Sequence, residues 1–594
     1  MVALMRLPRW ILAPAFIFVA CGVVGVAIWR PAPTARCPFW LEDVTSSTGI
    51  SFVHTDGSSG RRYIVETVTA GLATFDYDGD GLVDIYFLNG SLLPGCQPAE
   101  LPRNALYRNC GGFSFTEVTA PAAVGDTGYG LGVAIGDYDN DGFPDIYVNN
   151  FGPNILYRNN GDGTFSDVTR EAGVDAGNLV GAGASFLDVE GDGDLDLYVA
   201  NYVNFSFETY KPHIVEGRHI YPGPMIYDGV PDILYRNEGD GTFRDISSQA
   251  GIIEDGVGTG MGMICADYDR DGDTDIFVLN DVAHNYFWEN DGKGHFTEVG
   301  LPRGLAFDAQ GRYLASMGVD CADYDNDGWL DFFHTSYSEQ MPALYHNTGK
   351  GFFEEVASTA VPGTSLFPHI NWGCNFVDLD NDGWVDLFVA NGNTQDNLED
   401  LAAHITYRAR NSVFRNNRDG RFVELTQLAG SGLEPVESSR GSAADDLDND
   451  GRVDLVVLNA RSSPTIIRNN SPGGNHWVFI SLLGLSSNRD AVGSHVTVMA
   501  SGLQQLREVH SGRSYQGHCG SRLHFGLEQA SRVDRIEVRW HGGGTQMWEN
   551  LPVDCWLLLI EGEKEALILP LGSSFSGRGC LIREWLARVL PRKR

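Results

Sequence analysis

Small, Gly-rich apolar stretches alternate with β-branched and aromatic runs along most of the chain, and short clusters of Asp, Asn and Gly separate them. Gly130-Leu-Gly-Val-Ala-Ile-Gly136 is followed, after an acidic loop, by Asp145-Ile-Tyr-Val-Asn149, and Asp386-Leu-Phe-Val-Ala-Asn391 is a run of the second kind. A third element carries a hairpin signal, as in Leu156-Tyr-Arg-Asn-Asn-Gly-Asp-Gly-Thr-Phe165, and again at Leu234–Phe243 and Val413–Phe422. Asn, Asp and Gly between apolar runs supply the positive φ that tight hairpin turns need. The turn leads into a fourth element of the type Phe165-Ser-Asp-Val-Thr169. Four short antiparallel strands per repeat, seven times over, predict an all-β chain built around a seven-bladed β-propeller. Elements of the fourth kind stand near residues 40–45, 115–119, 165–169, 243–247, 296–300, 353–357 and 422–426. The first precedes every acidic loop and none follows the last. Trp40 to Thr45 is therefore expected to supply the outer strand of the last blade and close the ring, which protects open edges.

The loops share the pattern Asp-x-Asp-x-Asp-Gly-x-x-Asp. The candidate ligands are Asp76, Asp78, Asp80 and Asp84; Asp137, Asp139, Asp141 and Asp145; Asp188, Glu190, Asp192 and Asp196; and Asp267, Asp269, Asp271 and Asp275. The last three sets are Asp323, Asp325, Asp327 and Asp331; Asp378, Asp380, Asp382 and Asp386; and Asp446, Asp448, Asp450 and Asp454. Alternating carboxylates in a short loop can curl around one hard cation, and the Gly permits the sharp turn that aims oxygens inward. An all-oxygen shell suits Ca²⁺ better than Mg²⁺ or Zn²⁺. Asp/Gly-rich solvated turns use the same residues, but four carboxylates in one loop repel one another without a cation. The expectation is up to seven structural Ca²⁺ ions, with the third site looser because Glu190 replaces Asp. The loops are not EF-hands, since the position-twelve Glu and the flanking helices are missing. An Asn stands five residues after the closing Asp at Asn89, Asn150, Asn201, Asn280, Asn391 and Asn459, with Ser336 in the fifth repeat. These are expected to cap strand ends rather than to form a functional ring.

These loops resemble the FG-GAP/VCBS repeats of integrin-α-like propellers. Farther on, Asn488-Arg-Asp-Ala-Val-Gly-Ser-His-Val-Thr-Val498, Arg507-Glu-Val509, Arg522-Leu-His-Phe-Gly-Leu527 and Val533-Asp-Arg-Ile-Glu-Val-Arg-Trp540 are similar to the ASPIC/UnbV domain. The pairing is that of the cartilage acidic protein 1-like family, bacterial type. The resemblance implies a calcium-bound extracellular propeller over 38–471, a small β-sandwich-like domain over 475–562, and no defined reaction. His518-Cys519 departs from the polar residues more usual in that domain.

A formal net charge of −36, with 78 acidic residues in 594 positions, follows in large part from the loops. Nucleic acid is excluded as a partner, because phosphate binding needs a basic surface. Trp10 to Trp29 is uncharged and flanked by Arg9 and Arg30, long enough to span a bilayer, with Trp residues suited to its interfaces. Residues 1–30 are expected to be an uncleaved signal-anchor, an N-terminal transmembrane helix that leaves the propeller facing the periplasm or the extracellular side; a cleaved signal is the alternative. Of the ten cysteines, Cys96 and Cys110 are placed to pair, and Cys265 and Cys321 are expected in the core.

The segments that break the repeat are the candidate functional surfaces. Asn201-Tyr-Val-Asn-Phe-Ser-Phe-Glu-Thr-Tyr-Lys-Pro-His213, with His219, Tyr221-Pro-Gly-Pro224 and Tyr227, is an aromatic insertion. It either presents a protein- or glycan-binding surface or packs on its own rings. Asn391 to Arg410 is a second, polar insertion. No His-Glu-x-x-His, Gly-x-Ser-x-Gly or Walker-type motif occurs. His518, Cys519 and His524 cluster in sequence, with a structural role expected. Residues 563–594 form a basic tail in which Leu581, Ile582, Trp585, Leu586, Val589 and Leu590 have helical spacing, suited to an anionic membrane surface or to the acidic propeller. The expected function is a membrane-anchored, calcium-binding scaffold for protein or glycan ligands, with no catalytic residues recognised; a secreted hydrolase-type enzyme is the alternative.

Overall fold

The Gly-rich run before each acidic loop forms the inner strand of a four-stranded antiparallel sheet, and the run after it forms the second strand. The structure, a computed structural model, describes residues 37–96, 101–252, 258–363, 365–397 and 406–569. Among these residues seven such sheets follow one another, from Leu72–Phe75, Asp84–Phe87, Ala105–Asn109 and Phe115–Glu117 to the last, whose first three strands are Ser439–Asp445, Asp454–Asn459 and Thr465–Asn469; the fourth sheet carries a short fifth strand, Leu314–Ala315, paired with Asp275–Ala283. In every sheet the closing Asp of the loop begins the second strand and is paired with the residue just before the loop, as in Phe75↔Asp84 and Gly136↔Asp145. The acidic loop is thus the tight connection between strands one and two. The expected closure is present: Leu41–Asp43 pairs antiparallel with Thr465–Asn469 as the outer strand of the seventh sheet.

The small residues of the inner strands have a steric cause. A Cβ on Gly132 would lie 1.9 Å from the Ala182 carbonyl oxygen of the next sheet, and one on Gly262 would lie 2.0 Å from that of Met317. Neighbouring inner strands approach too closely for side chains there. Each touches the inner strands of two neighbours, and Ser439–Asp445 touches Leu72–Phe75, so the order closes on itself. The fourth strands are shorter than the sequence pattern implies. Phe165–Asp167 stops two residues early, and Thr169–Ala172 is a single helical turn. Similar turns follow at Thr119–Ala122, Ser247–Ala250, Gly300–Arg303 and Ala357–Ala360. Asp167 Oδ1 accepts from the Thr169 N–H, and the Thr169 hydroxyl accepts the Leu156 N–H, which ends the strand.

Residues 476–569 form two further four-stranded sheets. One contains a parallel pair, His476–Leu483 with Cys555–Ile560, and Val478, Val496, Phe525, Ile536 and Leu557 share one core. This domain is seated on the loop face of the repeats. Asp490 accepts the Asp137 N–H at 2.7 Å, the Glu528 N–H donates to the Asn381 carbonyl, and Arg522 reaches Asn449 at 2.6 Å.

Between its strands Leu503–Glu508 and Leu523–Glu528, the domain sends a connection along the axis of the repeat array. Residues 510–518 bond to all seven inner strands. Their contacts are His518 with Leu72, Gln516 with Val133, Ser511 with Phe186 and His510 with Cys265, then Ser514 with Val319, Cys374 and Ser442. Tyr515 is fully buried, edge-on to Trp372 at 4.9 Å.

Among the described residues no helix is long and apolar enough to cross a membrane. The transmembrane expectation for residues 1–30 and the amphipathic run Leu581–Leu590 lie outside the described residues. Cys265 and Cys321 are buried in the core as expected. Cys96 and Cys110 are not paired: both are free thiols, and the Cys110 sulfur lies 3.6 Å from the Thr116 hydroxyl.

Candidate metal centres and the segments that break the repeat

All seven loops are built alike. The first Asp accepts two backbone N–H groups of its own loop, from positions five and six, at 2.7–3.2 Å. Position four has positive φ in every loop, at Gly79, Asn140, Gly191, Arg270, Asn326, Asn381 and Asn449, as does the Gly at position six. Two departures of this kind, one residue apart, curl the loop inward. The closing Asp accepts the backbone N–H of the Asn that ends the third strand, at 2.7–2.9 Å.

These folds bring the predicted carboxylates together. Ligand oxygens of Asp76, Asp78 and Asp84 lie within 4.8 Å of one another, as do those of Asp137, Asp139 and Asp145, of Asp267, Asp269 and Asp271, and of Asp323, Asp325 and Asp327. Crowding in a buried place makes ionisation costly. Burial, then Asp331, pushes the Asp323 carboxyl up to about 8; burial holds Asp188 and Asp267 at about 6. Buried oxygens of Asp269, Asp325, Asp380 and Asp448 have no hydrogen-bond partner. Unpaired buried acceptors are rare in folded proteins and call for a counter-group. The donor set, all oxygen and in excess of charge balance, fits a hard divalent cation.

Two features of the loops are absent from the sequence pattern as read above. The first is a stitch between sheets. The Asn ending each third strand (Asn109, Asn159, Asn237, Asn290, Asn347, Asn416 and Asn469) donates its Nδ2 to the position-two carbonyl of the preceding sheet's loop, at 2.8–3.0 Å. The seventh loop is the "preceding" one for Asn109, so the stitch runs round the whole ring. Its signal is the invariant Asn at the end of every third strand, which reads locally as hairpin punctuation.

The second feature is the residue before that Asn. Arg108 sits 2.7 Å from Asp78 and 2.9 Å from Asp80, Arg415 3.2 Å from Asp380, and Arg468 2.7 Å from Asp448. In the third sheet Arg236 is 3.9 Å from Glu190, and in the fifth His346 is 3.3 Å from Asp331 and 3.5 Å from Asp325. The fourth sheet has Glu289 instead, which bonds to Tyr268 and Arg303. Its loop also carries Asp273, and buried oxygens of Asp269, Asp273 and Asp275 all lack partners. The fourth loop therefore lacks the third-strand cation of its neighbours, and its ion pair comes from the C-terminal domain instead, Arg539 to Asp267 at 3.6 Å.

The other candidate residues have structural partners. Asn89, Asn150, Asn201, Asn280, Asn391 and Asn459 each donate Nδ2 to a nearby backbone carbonyl, as expected of strand-end caps. In the fifth repeat Ser336 donates to Gln340. The aromatic insertion packs on its own rings: Tyr63, Phe151, Phe205, Phe207 and Tyr227 meet at centroid distances of 5.1–5.8 Å. The second insertion clamps it, because Gln395 bonds both backbone groups of Tyr221 and Asn397 bonds the His219 carbonyl. Residues 398–405 of that insertion lie outside the described residues. His518 and Cys519 are each 3% exposed; burial lowers the His518 imidazole to about 3 and raises the Cys519 thiol to about 11. His524 is half-buried, with its ring 5.0 Å from Phe479.

A family model for FG-GAP-like repeats matches residues 76–148, 144–199, 225–278, 267–334 and 323–389. A second, for ASPIC and UnbV, matches residues 484–566. Cartilage acidic protein 1 of Homo sapiens is 25% identical over 443 residues, which cover 70% of this chain and 60% of the human protein. That of Xenopus tropicalis is 27% identical over 388 residues, covering 53% of this chain and 57% of the relative. The chain thus matches less than two thirds of the length of these curated relatives. Among solved structures, an Agrocybe aegerita lectin studied for recognition of non-reducing terminal N-acetylglucosamine is similar at a TM-score of 0.37, with 19% identity over 63% of this chain and 80% of the lectin. The exotype rhamnogalacturonan lyase YesX is similar at 0.36, with 16% identity over 68% of this chain and 61% of the lyase. On repeat matches, domain match and relatives together, the chain is an FG-GAP-repeat protein with a C-terminal ASPIC and UnbV domain, homologous to cartilage acidic protein 1.

Proposed function

We propose that the chain is an exported, calcium-loaded, seven-bladed propeller that serves as a rigid binding scaffold for a protein or glycan ligand. Calcium is structural in this reading. Each ion replaces repulsion among buried carboxylates with a shared all-oxygen shell and fixes the connection between strands one and two. The observation that supports the proposal best is the fourth loop, where buried oxygens of Asp269, Asp273 and Asp275 lack partners and the third strand carries Glu289 rather than a cation. Export fits the same chemistry, because calcium is abundant outside the cytosol, and the segment at 1–30 is the proposed anchor.

The test is thermal unfolding in calcium, in excess chelator, and in chelator followed by calcium or magnesium. A ligand at a thousand times its Kd stabilises by about 4 kcal/mol per site, so chelation should lower the melting temperature sharply and calcium should restore it better than magnesium. An unchanged melt in chelator would sink the structural-calcium reading.

A further inference from the structure

The end of the array opposite the C-terminal domain holds a cavity of about 400 Å³, roofed by the strap around Tyr221 to Ile226 and floored by Trp372. Its volume is that of a site for a small ligand or one side chain. Tyr202, Tyr221 and Tyr337 line it with Met261 and Met317. Asp281 faces this apolar wall and is 7% exposed. Its Oδ2 accepts the Tyr202 hydroxyl at 2.7 Å. Among the described residues no protein donor bonds its Oδ1, and no Lys, Arg or His lies within ion-pair distance. Arg440 lies over the Trp372 ring at 4.1 Å, but its donors go to Thr67, Asn393, Ser438 and Ser439. The other titratable group on the wall besides the tyrosines is His213, on the strap.

The backbone beside this carboxylate is strained. Val282 has φ 61°, a conformation that a β-branched residue avoids, and the strand register shifts between Asp281 and Ala283. Strain of this kind costs about 1–3 kcal/mol and persists where the surroundings over-determine it, often at ligand sites. Here Asp281 and Val282 both line the cavity. Desolvation favours protonation of an isolated carboxyl, and burial does raise Asp281 to about 6. A carboxylate among aromatic rings, with no cation of its own, is complementary to a positively charged nitrogen, which rings and carboxylate attract together.

Arg62 already lies over the Tyr221 ring at 4.9 Å, so we propose that the mouth cavity binds a ligand through an ammonium group held between the Asp281 carboxylate and the rings of Tyr202 and Tyr337. The inference rests on the scaffold reading and names the chemistry its ligand presents. A free quaternary or primary amine and a lysine side chain of a partner protein offer the same group. The probes are therefore choline, its neutral isostere 3,3-dimethylbutan-1-ol, and Nα-acetyl-lysine methylamide, titrated calorimetrically into the full chain in calcium.

Saturable binding of choline or of the lysine derivative is expected, with the neutral isostere at least about tenfold weaker. Binding of choline alone marks a free amine as the ligand, and binding of the lysine derivative alone marks a protein partner; either supports the site. Asp281→Asn keeps the Tyr202 hydrogen bond and should weaken binding at least about tenfold. Met225 is 80% exposed on the cavity rim, so Met225→Lys adds a repelling charge without disturbing the core and should weaken it too. Both variants should melt with the parent. No binding of either ammonium probe at about 10 mM, equal binding of the neutral isostere, or binding unchanged in both variants overturns the inference. Failure here with calcium-dependent melting intact removes the ammonium site alone, and loss of calcium dependence with binding intact removes only the structural role of calcium.

Discussion

Asn159 makes four statements with one side chain and one backbone group. Its Nδ2 bonds the Tyr77 carbonyl of the neighbouring loop and the Pro144 carbonyl of its own, its N–H bonds Asp145, and its Oδ1 accepts the Gly161 N–H. Asn159→Ala leaves two buried carbonyls and one N–H unpaired, at about 1–3 kcal/mol each before relaxation. Urea unfolding should show a loss of at least about 2 kcal/mol, and similar losses for Asn237→Ala and Asn416→Ala. The acidic loops themselves invite a comparison. Asp269 has no strand cation beside it, whereas Asp78 has Arg108 at 2.7 Å. Asp269→Asn should therefore reduce the calcium-induced rise in melting temperature more than Asp78→Asn; equal effects would mean that Arg108 does not offset its loop. The carboxylates were legible in the sequence, because their spacing is local. The stitch was not, because each Asn has its partner in another sheet, as far as 338 residues away for Asn109 and Leu447.

Four strands per repeat could be read from alternation and turn residues, and so could ring closure by the strand at 41–43. The one-turn helices could not, since four residues are too few to show a helical period. The Gly-rich inner strands were legible as strands but not in their reason. That reason is the close approach of the next sheet, which predicts that Gly132→Ala is far worse than Gly→Ala in an ordinary strand. Its Cβ would meet a backbone oxygen at 1.9 Å, so soluble yield or melting temperature should collapse. An ordinary substitution penalty of under about 1 kcal/mol would show that the sheets can move apart.

For the whole molecule, the proposed role of calcium makes the pH dependence of stability opposite in sign with and without the ion. Folded-state values of about 8 for Asp323 and about 6 for Asp188 and Asp267 lie above the ordinary 3.8. In chelator, the stability these groups contribute is fully present below pH 3.8 and is lost as pH rises through about 6 to 8. Calcium requires the ionised form and gains with pH over the same window. The gap in melting temperature between calcium-loaded and chelated protein should therefore widen from pH 5 to pH 8, read by scanning fluorimetry; a constant gap would mean that these carboxylates do not hold the ion. The axial connection was the least legible part of the chain. Residues 510–518 are a polar stretch between two strands, and nothing local marks partners in seven different sheets.

That connection also sets a schedule. A ribosome making this chain releases all seven sheets before it synthesises the stretch that fills their axis, which begins at His510. Until then the inner strands, with the carbonyl of Leu72 and both backbone groups of Val319, face an open bore. A nascent chain cut short after the seventh sheet would be a ring without a hub, wet along its axis and with Trp372 uncovered. The domain that follows the sheets is thus made after them and completes the core that they enclose.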